Sequence, residues 1–241
     1  MNPFFAAAPG VSSMGILGEI HQSLIEENRY MYILTGLQNT VILTVFAVLI
    51  GVFLGTLIAL VKVAHAGSPK KLRILNGLCT LYLTVIRGTP VVVQLMIMYY
   101  VILTSADKMV AATLAFGINS GAYVAEVIRS GILSVDHGQM EAGRSLGLSR
   151  RMTMVKIIFP QALKNVLPAI GNEFIALLKE TSVAGYIGVQ DLTKGGDIIR
   201  SITYLAFTPL LTTALVYLVI VIGLTTLLTK FERRLRRSDY R

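Results

Sequence analysis

Charged residues fall at intervals along this chain, separated by long apolar runs. Between Arg29 and Lys62 no residue is charged, and residues 40–61 are rich in Val, Ile, Leu and Gly. That length of apolar chain predicts a first transmembrane helix. A second apolar run, residues 74–103, is interrupted only by Arg87. A third, 109–132, contains Asn119, Ser120, Glu126 and Arg129. The fourth runs from about residue 155 to 187 and carries Lys164, Glu173, Lys179 and Glu180, so it is the least apolar. The fifth, 201–229, is free of charge. The pattern predicts an all-α integral membrane protein with five transmembrane helices.

Composition agrees. The 241 residues are 54% hydrophobic and 15% charged, with a mean hydropathy of +0.68. A soluble domain is closer to one quarter charged. The 22 Lys and Arg exceed the 13 Asp and Glu by nine, yet so charge-poor a chain lacks the solvated basic face of a nucleic-acid binder. Sorting the basic residues by connection explains the excess. Residues 62–73, 129–156 and 230–241 hold 15 of them, and the alternate segments hold only Arg29, Lys108, Lys179, Lys194 and Arg200. Basic residues accumulate in cytoplasmic segments, so the N-terminus is expected outside and the C-terminus in the cytoplasm. A single cysteine, Cys79, excludes a disulfide framework, and His21, His65 and His137 show no ligand-like spacing, so no metal is expected. Residues 1–30 lack a basic segment followed by an apolar core and do not resemble a signal peptide. Ile16, Leu17, Ile20, Leu24 and Ile25 interleave there with Glu19, His21, Glu26 and Glu27, a spacing that suits a short amphipathic helix on the outer surface. The chain divides into that segment, one transmembrane domain over 31–232, and a basic cytoplasmic tail over 233–241.

Polar groups at membrane depth usually face a protein interior or an aqueous path. Arg87, Gly88 and Pro90 predict a helix break, with the Arg87 guanidinium bonding the freed carbonyls. Asn119, Tyr123 and Glu126 share one face of the third helix, beside Ser120; amide, phenol and carboxylate together suit a zwitterionic solute. Gly117 and Gly121 allow close helix approach on the same helix, so solute lining and packing compete there. Glu173 lies near the middle of the fourth span. Pro160 and Pro168 would bend that helix, as a gate hinge or a fixed kink. Lys179 and Glu180 are expected to form an interfacial ion pair. No His lies in a span and no paired-Asp or Ser–His arrangement appears, so no catalytic residue is expected. No inverted repeat is evident, which disfavours a self-contained secondary transporter.

Residues 134–156 read SVDHGQMEAGRSLGLSRRMTMVK, long enough for two short helices turning at Gly147. Glu141-Ala142-Gly143, then three residues, Gly147, nine residues, Ile157, one residue and Phe159-Pro160 resembles the EAA motif of ABC importer permeases. Gly143 replaces the second Ala of that motif and Phe159 its Leu. Ile86-Arg87-Gly88-Thr89-Pro90 with Gln94-Leu95, then Asn119 to Glu126 with Arg129 and Gly131, then Pro160-Gln161-Ala162-Leu163 through Gly171-Asn172-Glu173-Phe174 to Lys179-Glu180-Thr181-Ser182 resemble the polar amino acid branch of that family. The resemblance covers most of residues 35–230. It implies a type I importer transmembrane domain with a cytoplasmic coupling helix, in a bacterial cytoplasmic membrane. It also implies a second permease copy, two ATP-binding subunits and an extracytoplasmic solute-binding protein. Ala142, Gly143 and Gly147 would form the packing surface toward the ATPase, with Glu141 at the seat and Arg144, Arg150 and Arg151 at the rim. No GxxxxGK[ST] phosphate loop is present, so ATP is expected on the partner and no cofactor in this chain. Residues 104–108 and the glycine-containing outer loop 185–200 are the expected docking surface for the binding protein. The alternatives are another small polar solute and an ATP-independent transporter.

Overall fold

The computed structural model describes residues 15–67 and 72–236. Lys70, Lys71, the first 14 residues of the N-terminal segment and residues 237–241 of the tail lie outside them. The described chain is helical throughout: α1 (Ile16–Ile20), α2 (Tyr30–Gly67), α3 (Arg73–Gly88), α4 (Val91–Ile97), α5 (Lys108–Leu133), α6 (Gly138–Ser145), α7 (Arg150–Thr153), α8 (Phe159–Glu180), α9 (Leu192–Thr203) and α10 (Phe207–Arg236). Among the described residues α2, α5 and α10 are long and apolar enough to cross a membrane.

The expected second span is not one helix. It bends by 108° between α3 and the arm Val91–Ile102. Pro90 has no N–H to give, and Thr89 before it is held extended at φ −122°, ψ 147°, as a residue preceding proline prefers. The expected fourth span corresponds to α8, a less apolar helix that is not among those long and apolar enough to cross. A single π turn, Met154–Ile158, joins it to α7. Pro160 therefore sits in the first turn of α8, beside the π turn, where a missing N–H costs little, and not at the interior bend that its sequence position suggested. Pro168 is inside the helix and buried.

Two small-residue stripes bring α2 and α5 together. A Cβ at Gly55 would stand 2.7 Å from the Val124 side chain, and one at Gly117 2.8 Å from Ile50. Gly51 likewise faces Ser120, and Gly121 faces Leu54 and Tyr82. The packing role foreseen for Gly117 and Gly121 is thus realised against α2. Leu43, Ala47, Leu95, Phe116, Leu177 and Ile187 close the core around this contact. On α10, Leu215, Val219 and Ile222 remain exposed, an apolar face suited to lipid.

Segment 185–200 departs most from expectation. It is no loop: α9 fills most of it and packs against α2 and α10. Its glycines serve contact, since a Cβ on Gly195 would lie 2.4 Å from the Tyr32 carbonyl and one on Gly196 2.1 Å from Thr213 Oγ1. Asp191 caps α9 by accepting from the Thr193 and Lys194 N–H groups. The Leu192 N–H donates to Thr40 Oγ1 at 2.9 Å, and the Asn39 amide to the Gln190 carbonyl. Lys108 Nζ donates to the Gly188 carbonyl, so the two expected docking segments do meet.

Asp191 is 1% exposed, and burial pushes its carboxyl from 3.8 up to about 6 against the pull of its N–H partners. A raised acid holds its proton more readily folded than unfolded. The stability associated with it is present below about pH 4 and is lost as pH rises through about 6. Asp191→Asn keeps the capping acceptor. It should raise Tm by a few degrees at about pH 8 and leave it unchanged at about pH 4; an equal gain at both would contradict this account.

The N-terminal segment folds as α1, a π turn and a tight turn at Glu27 and Asn28, both at positive φ. Arg29 holds it together, donating to the Gln22 carbonyl at 2.5 Å and pairing with Glu26 and Glu27. Leu24 packs on Ile33, Leu192 and Ile199, and Thr208 donates to Glu19 at 2.8 Å. Ile16 and Leu17 stay exposed, which keeps the amphipathic character read from the sequence.

Candidate functional site

Residues 138–153 form the helical hairpin that their spacing predicted. Gly147 adopts φ +81°, open to glycine without a steric cost. The Leu148 N–H donates to the Gly143 carbonyl and the Gly147 N–H to the Arg144 carbonyl, the paired bonds of a Schellman closure. Ser149 caps α7 by accepting from the Met152 N–H at 3.2 Å. Gly143 is buried, and a Cβ there would meet Thr153 Cγ2 at 2.4 Å. Its surface is therefore spent inside the hairpin, which corrects its expected place on the outward packing face. Glu141, Ala142, Arg144, Gly147, Arg150 and Arg151 remain exposed, and Leu146 is 80% exposed.

The polar residues of the spans form three separate groups. The first is at the α3–α4 corner. Gln94 Nε2 donates to the Ile86 carbonyl at 2.7 Å and to the Thr89 carbonyl at 3.0 Å, while Gln94 Oε1 accepts from Asn119 Nδ2 at 3.0 Å. The freed carbonyls are thus satisfied by Gln94 and not, as expected, by Arg87. The sequence reading quoted Gln94 within a motif and gave it no role. Gln94→Leu would strand the part-buried Ile86 carbonyl and Asn119 amide at about 1–3 kcal/mol each, while the exposed Thr89 carbonyl can turn to water. A lowered Tm is expected, and an unchanged Tm would show the corner is held by other contacts.

The second group faces the open side of α5. The Arg87 guanidinium lies 5.6 Å from the Tyr123 ring centre and 4.0 Å from Glu126 Oε2. Arg129 Nη2 holds the same oxygen at 2.8 Å. Tyr123 and Glu126 share this face as foreseen, but Asn119 turns to Gln94 and Ser120 to Glu173, and Arg87 joins the face unforeseen, with Gly88 beside it on a cleft shared with Lys62 and Glu126. Glu126 is already neutralised by Arg129, however, so it is not an open acceptor for an ammonium group. Tyr82, absent from the sequence reading, donates to the Ile118 carbonyl alongside.

The third group is a pair. Ser120 is fully buried, and its hydroxyl donates to Glu173 Oε1 at 3.2 Å. The carboxylate bridges α5 and α8 through one oxygen, and no described residue bonds the other. Glu173 is the carboxylate at depth with capacity left for a ligand. Among the described residues no group of His, Cys, Asp and Glu could hold a metal ion, and no ion pair joins Lys179 to Glu180.

Residues 51–237 match the binding-protein-dependent transport system inner membrane component. The chain belongs to that family. These permeases include an arginine transport system permease of Bacillus subtilis, 37% identical over 212 residues that cover 86% of this chain and 94% of the relative. They also include a glutamine transport system permease of Escherichia coli, 39% identical over 168 residues, or 68% of this chain and 77% of the relative. A crystal structure of an amino acid ABC transporter with histidines superposes with a TM-score of 0.81 at 43% identity, covering 87% of this chain and 97% of that one. The permease resemblance read from the sequence is thereby borne out, as are the all-helical fold and the transport and membrane character of the chain.

Proposed function

We propose that this chain is the permease subunit of an ATP-driven importer that carries a polar amino acid across the bacterial cytoplasmic membrane. The observation that carries the reading is the α6–α7 hairpin. It is closed by its own backbone bonds at Gly147, and its one buried small residue is used internally, so it presents Glu141, Ala142, Leu146 and three arginines on a preformed body. Such an element suits a cleft in a soluble ATPase. Relatives named for arginine and glutamine transport support the substrate class. Two ATP-binding subunits, a second permease copy and an extracytoplasmic binding protein complete the assembly, with the N-terminus outside and the hairpin in the cytoplasm.

Transport would proceed by alternating access. ATP binding draws the two hairpins together and opens the path outward; hydrolysis and separation return it inward. In this chain Glu173 would meet the solute, its carboxylate held by the buried Ser120, and the Arg87–Tyr123–Glu126 group would line the path next to the corner at Gly88 and Pro90. Pro160 and Pro168 would set the course of α8 through that movement. The test is uptake of amino acids by vesicles containing the purified complex. An ATPase should co-purify with the permease, and uptake should stop without ATP. Uptake driven by an ion gradient alone would reject the proposal.

A further inference from the structure

We propose that the cleft between the inner end of α2, the inner end of α5 and the α6–α7 hairpin is a binding site for the headgroup of an anionic phospholipid. The inference rests on the cytoplasmic placement of the hairpin proposed above. The cleft has a volume of about 320 Å³. Lys62, Arg129 and Arg150 line it together with Asp136 and His137. The rest of the lining is largely apolar, including Val63, Ile132, Leu133, Met154 and Ile158.

The cations are not equivalent. Arg129 is bound to Glu126. The Lys62 ammonium rests on the neutral hydroxyl of Thr80 at 2.6 Å. Among the described residues no carboxylate lies within ion-pair distance of Lys62 or Arg150. Two cations that no described carboxylate engages in an ion pair, in a cleft that holds Asp136 and is otherwise largely apolar, match a phosphate diester joined to acyl chains. A free phosphate would have no use for those apolar side chains. Basic pockets between helices at the cytoplasmic side of a membrane collect such headgroups. Arg150 begins α7 and reaches the Gly67 end of α2, so an occupant here would touch a spanning helix and the hairpin at once.

The experiment uses the assembled permease–ATPase complex in nanodiscs of mixed phosphatidylglycerol and phosphatidylcholine, with retained lipid counted by native mass spectrometry. The wild-type complex should retain phosphatidylglycerol selectively, and inorganic phosphate should not displace it. Removing two juxtamembrane charges in Lys62→Gln/Arg150→Gln should weaken retention ~30-fold. If that variant does not assemble, Lys62→Gln alone should weaken it about fivefold. Equal retention of the two lipids, or retention unaffected by the substitutions, overturns the proposal. Displacement by inorganic phosphate also overturns it, reassigning the cations to a free ion. A thiol placed by Ser145→Cys separates this from the reading it rests on. Labelling by an impermeant reagent from outside intact cells would refute the cytoplasmic placement, whereas the lipid count would stand or fall on its own.

Discussion

Glu141→Lys should insert and fold like the wild type yet lose ATP-driven uptake. Glu141 is exposed on α6, and none of the contacts closing the hairpin involves its side chain. Gly147 and Leu148 close the turn through backbone N–H groups, Ser149 caps α7, and Gly143 rests on Thr153. A lysine in the first turn of α6 would oppose the helix dipole, which costs only about 0.3–1 kcal/mol at a surface. Its effect must then come from whatever seats against the hairpin. Reversal of a charge buried on assembly costs about 2–5 kcal/mol, or roughly thirtyfold or more in affinity. The checks are the Tm of the purified permease, the ATPase retained with it, and uptake in vesicles. Full coupling by the variant would remove Glu141 from the seat. Gly143→Val makes a useful contrast, because its side chain collides with Thr153 and should lower Tm as well as coupling.

The second large effect is expected at Glu173. Glu173→Ala removes the carboxylate at depth that retains an open oxygen, and it leaves the buried Ser120 hydroxyl without its acceptor. Hydrogen bonds to a charged group contribute about 1.5–3 kcal/mol, so apparent affinity for the solute should fall by about tenfold to a hundredfold. Ser120→Ala keeps the carboxylate and should have the smaller effect. Glu126→Gln is the informative comparison. That carboxylate serves Arg129 and Arg87, so the change should lower Tm more than it alters solute affinity. Unchanged uptake of every amino acid tested on Glu173→Ala would make Glu173 a bridge between α5 and α8 and nothing more.

Much of this architecture could be read from the sequence because long spans must be apolar whatever their neighbours. The gaps between charges placed α2, α5 and α10, although α2 begins ten residues before the apolar run that first marked it. The turn at Gly147 was legible because a positive φ favours glycine. Segment 185–200 misled for a related reason. A helix pressed against two backbones needs Gly195 and Gly196 at its contacts, and the same glycines also characterise a loop. Composition does not separate the two cases; only the partners Tyr32 and Thr213 do. Glu126 was read as a free acceptor although Arg129, three residues on, was in view as its helical neighbour. The role of Gln94 was hidden, because an amide that satisfies carbonyls five and eight residues back depends on a corner whose angle no spacing reveals.

One helix runs without interruption from the α9 contact to the hairpin. At 38 residues, α2 is about 57 Å long, nearly twice the hydrocarbon thickness of about 30 Å. Its N-terminal turns are clasped by the start of α9, through Gly36, Asn39 and Thr40, and its last residue lies beside Arg150. It is therefore a lever with a grip at each end. A tilt of ~5° about one end displaces the other by ~5 Å, close to one helical turn. A rigid tilt imposed at α9 would thus arrive at the hairpin as a translation, with no need for a relay of side chains between them.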